Sequence, residues 1–199
     1  MAPRKRPKPG ERRVQILQVL AEMLQQPGAE RVTTAALAAR LAVSEAALYR
    51  HFASKAQMFE ALIDFIESSV FGLINQIGER EPAGRARAAR IVAMVLQFGE
   101  KNPGMARVMV GDALVFEHQR LQQRMNQFFD KLDAALRQSL RDGALADAAE
   151  PATLTPDADA RVRASVLTAF VAGRLQRFAR SGFRRAPSEQ LGACIARML

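Results

Sequence analysis

Along this chain apolar side chains recur at intervals of three and four residues, the period of one face of an α-helix. Ile16, Leu17, Leu20, Met23 and Leu24 make the first such run, and Pro27-Gly28 ends it. Leu37, Ala38 and Leu41 predict a short helix entered through Thr33-Thr34. Ala47, Leu48 and Phe52 predict a second one after Ser44. Ser54-Lys55-Ala56-Gln57 has the form of a capping box, so a longer helix opens there, carrying Met58, Leu62, Phe65, Ile66, Val70, Leu73 and Ile77. Gly78 and Pro82-Ala83-Gly84 are expected to break it. Helices follow over about 85–102, with Ile91, Met94, Val95 and Phe98 on one face, and around 105–109 beyond Pro103-Gly104. The clearest stripe is Leu121, Met125, Phe128, Phe129, Leu132, Leu136 and Leu140. Residues 143–157, Ala-rich with Pro151 and Pro156, read as a loop or linker. Val162, Val166, Phe170 and Gly173 begin another long helix that Ser181-Gly182 ends, and a last helix is expected from Pro187-Ser188. No segment shows the two-residue alternation of a strand and no repeat has solenoid length, so the predicted fold is all-α.

Composition narrows the class. The chain has 199 residues, enough for one large domain or a small one joined to a larger one, and no run approaches the roughly 18 apolar residues of a membrane span. Met1 to Gly10 is basic and Pro-rich without an apolar segment, unlike a secretory signal, and Cys194 alone excludes an internal disulfide or a Cys-based zinc site. The cytosol is the expected compartment. The net charge of +9 points to an anionic partner, nucleic acid first. That charge is uneven: residues 1–13 carry +5, residues 161–199 carry +7, and the body between them carries −3. The N-terminal part, with Pro3, Pro7, Pro9 and Gly10 among its charges, is expected to be a flexible arm over 1–9, either lying in a DNA groove or serving as a solubilising tail.

Residues 33–52 satisfy the requirements of a helix-turn-helix. Ala38 is small where two helices cross, Leu37, Leu41, Val43 and Leu48 fix their angle, and Ser44 caps the second helix, whose start must face the major groove. That helix exposes Glu45, Ala46, Ala47, Tyr49 and Arg50. Alanine methyls suit thymine methyls, Arg50 suits a guanine edge or a phosphate, and Glu45 suits a cytosine amino group. Tyr49, His51, Lys55, Thr33 and Thr34 are better placed for phosphates, and Arg12 and Arg13 at the arm's end join the expected contacts. A hairpin used only for packing is the plain alternative.

Val43-Ser44-Glu45-Ala46-Ala47-Leu48-Tyr49-Arg50-His51-Phe52, followed by Ser54-Lys55, resembles the N-terminal domain of the TetR family. The resemblance implies a three-helix DNA-binding domain over 10–52, on a helical domain over 53–199 that forms a homodimer through its last two long helices. Ala42 stands in the turn where glycine is usual. A positive φ there disfavours alanine by roughly 1–2 kcal/mol, a strain expected to be tolerated.

Three further segments, Phe98 to Gly104, Arg120 to Arg141 and Arg177 to Phe183, resemble a nucleoid-occlusion branch of that family. This resemblance implies a nucleoid-associated homodimer on palindromic double-stranded DNA, with clustering of dimers possible there, that antagonises the tubulin-like division protein FtsZ through its C-terminal tail. Phe65 and Leu73, facing the helix end Lys101-Asn102, either line a groove for such an acidic-hydrophobic peptide or are ordinary core residues, with Lys101 a solvated helix end. Leu73 and Lys101 stand where a basic residue and an arginine are expected in that branch. The stripe Arg174, Arg177 and Arg180 is expected at the rim or interface of the dimer, far from the reading heads. A ligand-responsive repressor, and a nucleoid structural protein with no division partner, are the alternatives. An enzyme has little support: the histidines are His51 and His118, with no Gly-rich phosphate loop and no metal-ligand cluster, so neither cofactor nor metal is expected.

Overall fold

The computed structural model describes residues 10–26, 32–146 and 155–199. The expected arm over 1–9, the stop at Pro27-Gly28 and the centre of the expected linker lie outside them. Among the described residues the chain forms α1 (Glu11–Leu24), α2 (Thr34–Arg40), α3 (Glu45–Tyr49), α4 (Lys55–Arg80), α5 (Gly84–Lys101), α6 (Pro103–Met109), α7 (Gln119–Ala146), α8 (Pro156–Arg180) and α9 (Leu191–Met198), with a 3-10 turn at Asp112–Leu114. No described residue lies in a strand.

Caps start the helices where the sequence places them. The hydroxyls of Thr33, Ser44 and Ser54 accept from the N–H groups of Ala36, Ala47 and Gln57 at 3.1–3.2 Å. Gln57 reaches back to accept from the Ala53 N–H at 2.9 Å, closing the box one residue before the expected position. Two expected breaks fail, for different reasons. Gly78 faces open space, so α4 runs through it and stops only before Pro82. Gly143 is a crossing point: a Cβ there would stand 3.1 Å from Gly84 Cα, so α5 and α7 touch backbone to backbone and α7 continues to Ala146. The last helix begins at Leu191, later than expected.

Helices α1–α3 close over Ile16, Leu20, Leu37, Leu48 and Phe52, all fully buried. Helices α4–α9 form the body around Met58, Phe59, Val95, Leu96, Phe128, Leu132, Leu167 and Val171. The joint between head and body is α6 against α1. There Arg107 donates to the Leu24 carbonyl at 3.2 Å, and Gly104 packs on the Ala21 backbone.

Ion pairs fix the order of helices within the body. On α4 and α7, Arg120 meets Glu60 at 2.7 Å, Arg124 meets Glu67 at 2.6 Å and also Asp64, and Lys131 meets Glu67 at 3.4 Å, so these helices run parallel. Partial burial works against the Arg124 charge, but hydrogen bonds to Glu67 and Asp64 and their negative charges outweigh it and raise its pKa. Helices α7 and α8 run antiparallel, with Thr168 on Asp133 at 3.3 Å and Arg141 near Asp157 at 3.8 Å. The same register brings Arg180 level with the start of α7, and therefore with Glu60 on the second turn of α4. The C-terminal end of α8 lies at the head end of the body, contrary to the expectation that its arginines stand far from the reading head.

Candidate nucleic-acid interface

The turn between α2 and α3 is built by hydrogen bonding that requires a left-handed residue. The Ala42 N–H donates to the Ala39 carbonyl and the Val43 N–H to the Ala38 carbonyl, both at 3.0 Å, with Ala42 at φ +53°. This double closure of a helix end normally uses glycine, and alanine holds it here with strain. Buried Ala38 and Leu41 and half-buried Val43 then set α3 across α2.

Helix α3 presents Glu45, Ala46, Tyr49 and Arg50 to solvent, with Ala47 half-buried beside them and Tyr49 45% exposed. Thr34 donates its hydroxyl to Glu45 Oε2 at 2.6 Å, joining the starts of the two helices. This bond orients the carboxylate that the sequence offers to a cytosine, and it occupies the Thr34 proton. Thr33 and Ser44 accept from backbone N–H groups and keep their own protons free to donate. Eight of the expected contact residues, Thr33, Thr34, Ser44, Glu45, Ala46, Ala47, Tyr49 and Arg50, thus belong to one two-helix unit.

Of the remaining expected contacts, Arg12, Arg13 and Lys55 are engaged within the protein by their side chains, and His51 by its backbone. Arg13 donates to the His51 carbonyl and stacks 4.1 Å from the centre of the Phe52 ring, tying α1 to the end of α3. Arg12 binds Gln15 at 2.8 Å. Lys55, in the first turn of α4, pairs with Glu117 and lies 5.6 Å from the Phe59 ring. It is a held cation, not a free one, and spacing gives no sign of a partner 62 residues away.

On α4, Phe65 is 49% and Leu73 38% exposed, so neither is an ordinary core residue. Lys101 is exposed at the end of α5. Asn102 folds back to donate to the Phe98 carbonyl at 2.8 Å, with Pro103 opening α6 behind it. Sequence reasoning passed over Val115 and Phe116, which stand exposed beside Glu117, and did not see that Val162 and Val166 lie outside the core. The missed signal was register: Val162 and Val166 share a helical face opposite Ala164, Leu167 and Val171. Among the described residues no three His, Cys, Asp or Glu side chains converge as metal ligands, and no helix is long and apolar enough to cross a membrane.

The head and the body each match a known family. Residues 16–62 match the model described as bacterial regulatory proteins, tetR family, and residues 84–196 match the SlmA-like model described as tetracyclin repressor-like, C-terminal domain. The chain is 48% identical over 183 residues to the nucleoid occlusion factor SlmA of Cronobacter sakazakii, covering 92% of this chain and 90% of that protein. The SlmA of Idiomarina loihiensis is 44% identical over 182 residues, with the same coverage. Among solved structures, a TetR-like regulator from Rhodococcus sp. RHA1 superposes with a TM-score of 0.72 at 19% identity, covering 96% of this chain and 97% of that one. The regulator FadR from Bacillus subtilis, in complex with stearoyl-CoA, gives 0.71 at 13% identity over 93% and 96%. At such identities these structures speak for the fold alone. The relatives in sequence, matched through head and body together, place the chain in a family of DNA-binding regulators that are not enzymes: it belongs to the TetR family and, within it, to the nucleoid occlusion factor SlmA group.

Proposed function

We propose that the chain is a nucleoid occlusion factor, a sequence-specific DNA-binding homodimer of the cytoplasm and nucleoid. Bound to chromosomal palindromes, it antagonises FtsZ ring assembly and so blocks septum formation over the nucleoid. The observation that carries this reading is the 48% identity to SlmA across both the reading head and the body, since likeness in the head alone would mark only a DNA binder. The open face of α3 fits base-edge contact, and a symmetric dimer sets two such helices in successive major grooves roughly 34–36 Å apart. Val162 and Val166, exposed on α8, supply an apolar face for that dimer. Phe65 and Leu73, with Lys101 and Asn102, offer apolar surface and a cation for the C-terminal tail of FtsZ, and dimers clustered on DNA would multiply such surfaces.

The test is FtsZ assembly, followed by light scattering with and without a palindromic duplex selected against this protein from a random pool. Inhibition that needs the duplex supports the reading. Unaltered assembly in both arms refutes it and favours the alternative, ligand-released repression. A cleft of about 440 Å³ between Met109, Gln122, Met125, Phe129, Gly173 and Gln176 has the volume of a ligand site. It opens toward the outer face of α7 and α8, where a dimer would cover it.

A further inference from the structure

Four arginines gather where α8 ends. Arg177, Arg180, Arg184 and Arg185, with Gln176 and Ser181, line a concave surface of about 380 Å³. The turn beneath them is firmly made. Ser181 Oγ donates to the Phe178 carbonyl at 2.9 Å and accepts from the N–H groups of Arg184 and Arg185 at 3.1 and 3.0 Å. Gly182 and Phe183, at φ +62° and +64°, reverse the chain, and the Phe183 ring packs edge-on against Phe178 at 5.2 Å. Arg184 donates to the Ser181 carbonyl at 2.9 Å. The guanidinium groups of Arg177, Arg180 and Arg185 meet no carboxylate among the described residues. Other arginines of the body are paired, as Arg87 is with Asp142, Arg120 with Glu60 and Arg163 with Asp159. Others that meet no carboxylate among the described residues, such as Arg80, Arg85, Arg137 and Arg197, are scattered along the sequence. What sets Arg177, Arg180 and Arg185 apart is that they are gathered on one built turn, where their summed field attracts an anion.

Their place says which anion. The antiparallel register of α7 and α8 puts them at the end of the body that carries the reading head. Gln176 and Arg180 also continue, at spacings of three and four residues, the exposed face of Val162, Val166, Ala169 and Gly173. A symmetric dimer closed over that face brings the clusters of both subunits to its DNA-facing end, where together they form a field that favours a polyanion. We infer that this cluster is a second, sequence-independent DNA site, which holds backbone phosphates of the duplex segment between the two half-sites. The inference rests on the DNA-binding reading of α2 and α3. It adds that the body, as well as the head, contacts DNA.

The test uses the full-length protein and the triple variant R177Q/R180Q/R185Q, which spares Arg184 because its guanidinium caps the turn. Affinity for the selected palindrome is measured from 50 to 200 mM salt, and sedimentation reports the dimer. If the variant remains dimeric and folded, its plot of log affinity against log salt should be shallower by about 0.9 for each phosphate that the arginines no longer neutralise. The ratio of affinities for selected and scrambled duplexes should not change. An unchanged slope overturns the proposal. So does weakened dimerisation, which would assign the cluster to carboxylates of the partner subunit. A labelled nucleoside triphosphate that binds the unaltered protein but not the variant, with the DNA slope intact, would overturn it in favour of a free nucleotide. Failure of the unaltered protein to bind any duplex would refute the head reading as well, and the Ala47→Glu variant separates the two: it should abolish preference for the selected duplex while keeping the arginine-dependent salt slope.

Discussion

Gly104→Ala tests whether the head and body are one mechanical unit. Gly104 sits in the first turn of α6, where a Cβ would overlap the Ala21 carbonyl oxygen and stand 3.0 Å from its carbon and 3.2 Å from Leu24 Cβ. Two of these three obstacles are backbone, so rotamer changes cannot relieve the overlap, and α1 must move off α6. Overpacking costs about 1–3 kcal/mol in general, and the upper end applies because the obstacle is rigid. Displacing α1 also stretches the 3.2 Å bond from Arg107 to the Leu24 carbonyl, worth about 1 kcal/mol. A loss of about 3–4 kcal/mol lowers Tm by roughly 6–16 °C in a chain of this size. The assay is thermal unfolding by circular dichroism at one fixed protein concentration, because a dimer's Tm depends on it. Gly78→Ala is the control: a Cβ there meets nothing within 4 Å, so the gain in helix propensity, about 0.5–1 kcal/mol, should raise Tm slightly. A Gly104→Ala protein that melts within about 2 °C of the parent, with unchanged DNA affinity, would refute the view that α6 bears directly on α1.

Two further substitutions probe the head. Ala42→Gly removes a left-handed strain of about 1–2 kcal/mol and adds about 0.5–1 kcal/mol of unfolded-state entropy, for a net gain of about 0.5–1 kcal/mol. Tm should rise by roughly 1–4 °C with DNA affinity unchanged, and a fall in Tm would show that the turn does not need its positive φ. Glu117→Gln removes the partner of Lys55, so Tm should drop by a few degrees while DNA affinity at low salt rises several-fold as the freed cation reaches phosphate. Fluorescence anisotropy reads the second effect, and an affinity that falls with stability would mean Lys55 is structural only.

What the sequence made legible was local. Thr33, Ser44 and Ser54 begin their helices because a side-chain oxygen within three residues satisfies a free N–H group, and that relation is written in adjacent positions. The apolar spacing likewise located every long helix and the two-helix unit of the head. What stayed hidden depends on pairs distant in the chain. Gly143 read as the start of an Ala-rich, Pro-bearing linker, and the arrival of Gly84 against it is what gives a glycine a place inside the helix. Leu73 fits the apolar stripe as a core residue and only the family resemblance favours it as groove, since α4 is packed on one flank by α7 and the side of its stripe left open depends on that packing.

The same distinction governs the charges. Sequence position sets Arg13 and Lys55 beside the head as DNA contacts, and the family resemblance sets the arginines of α8 at the rim or interface of the dimer. Availability follows from pairing and register. Arg13 is held by the His51 carbonyl and the Phe52 ring, and Lys55 by Glu117, so each has donors left for phosphate but is tethered by an internal contact, which orients Arg13 and partly neutralises Lys55. Arg177, Arg180 and Arg185 give up nothing but water. Since a cation with only water to exchange turns to phosphate more readily than a tethered one, the cations nearest the head in sequence are the less ready of the two sets. The +7 of residues 161–199 is therefore a better source of salt-dependent affinity than its distance along the chain suggests.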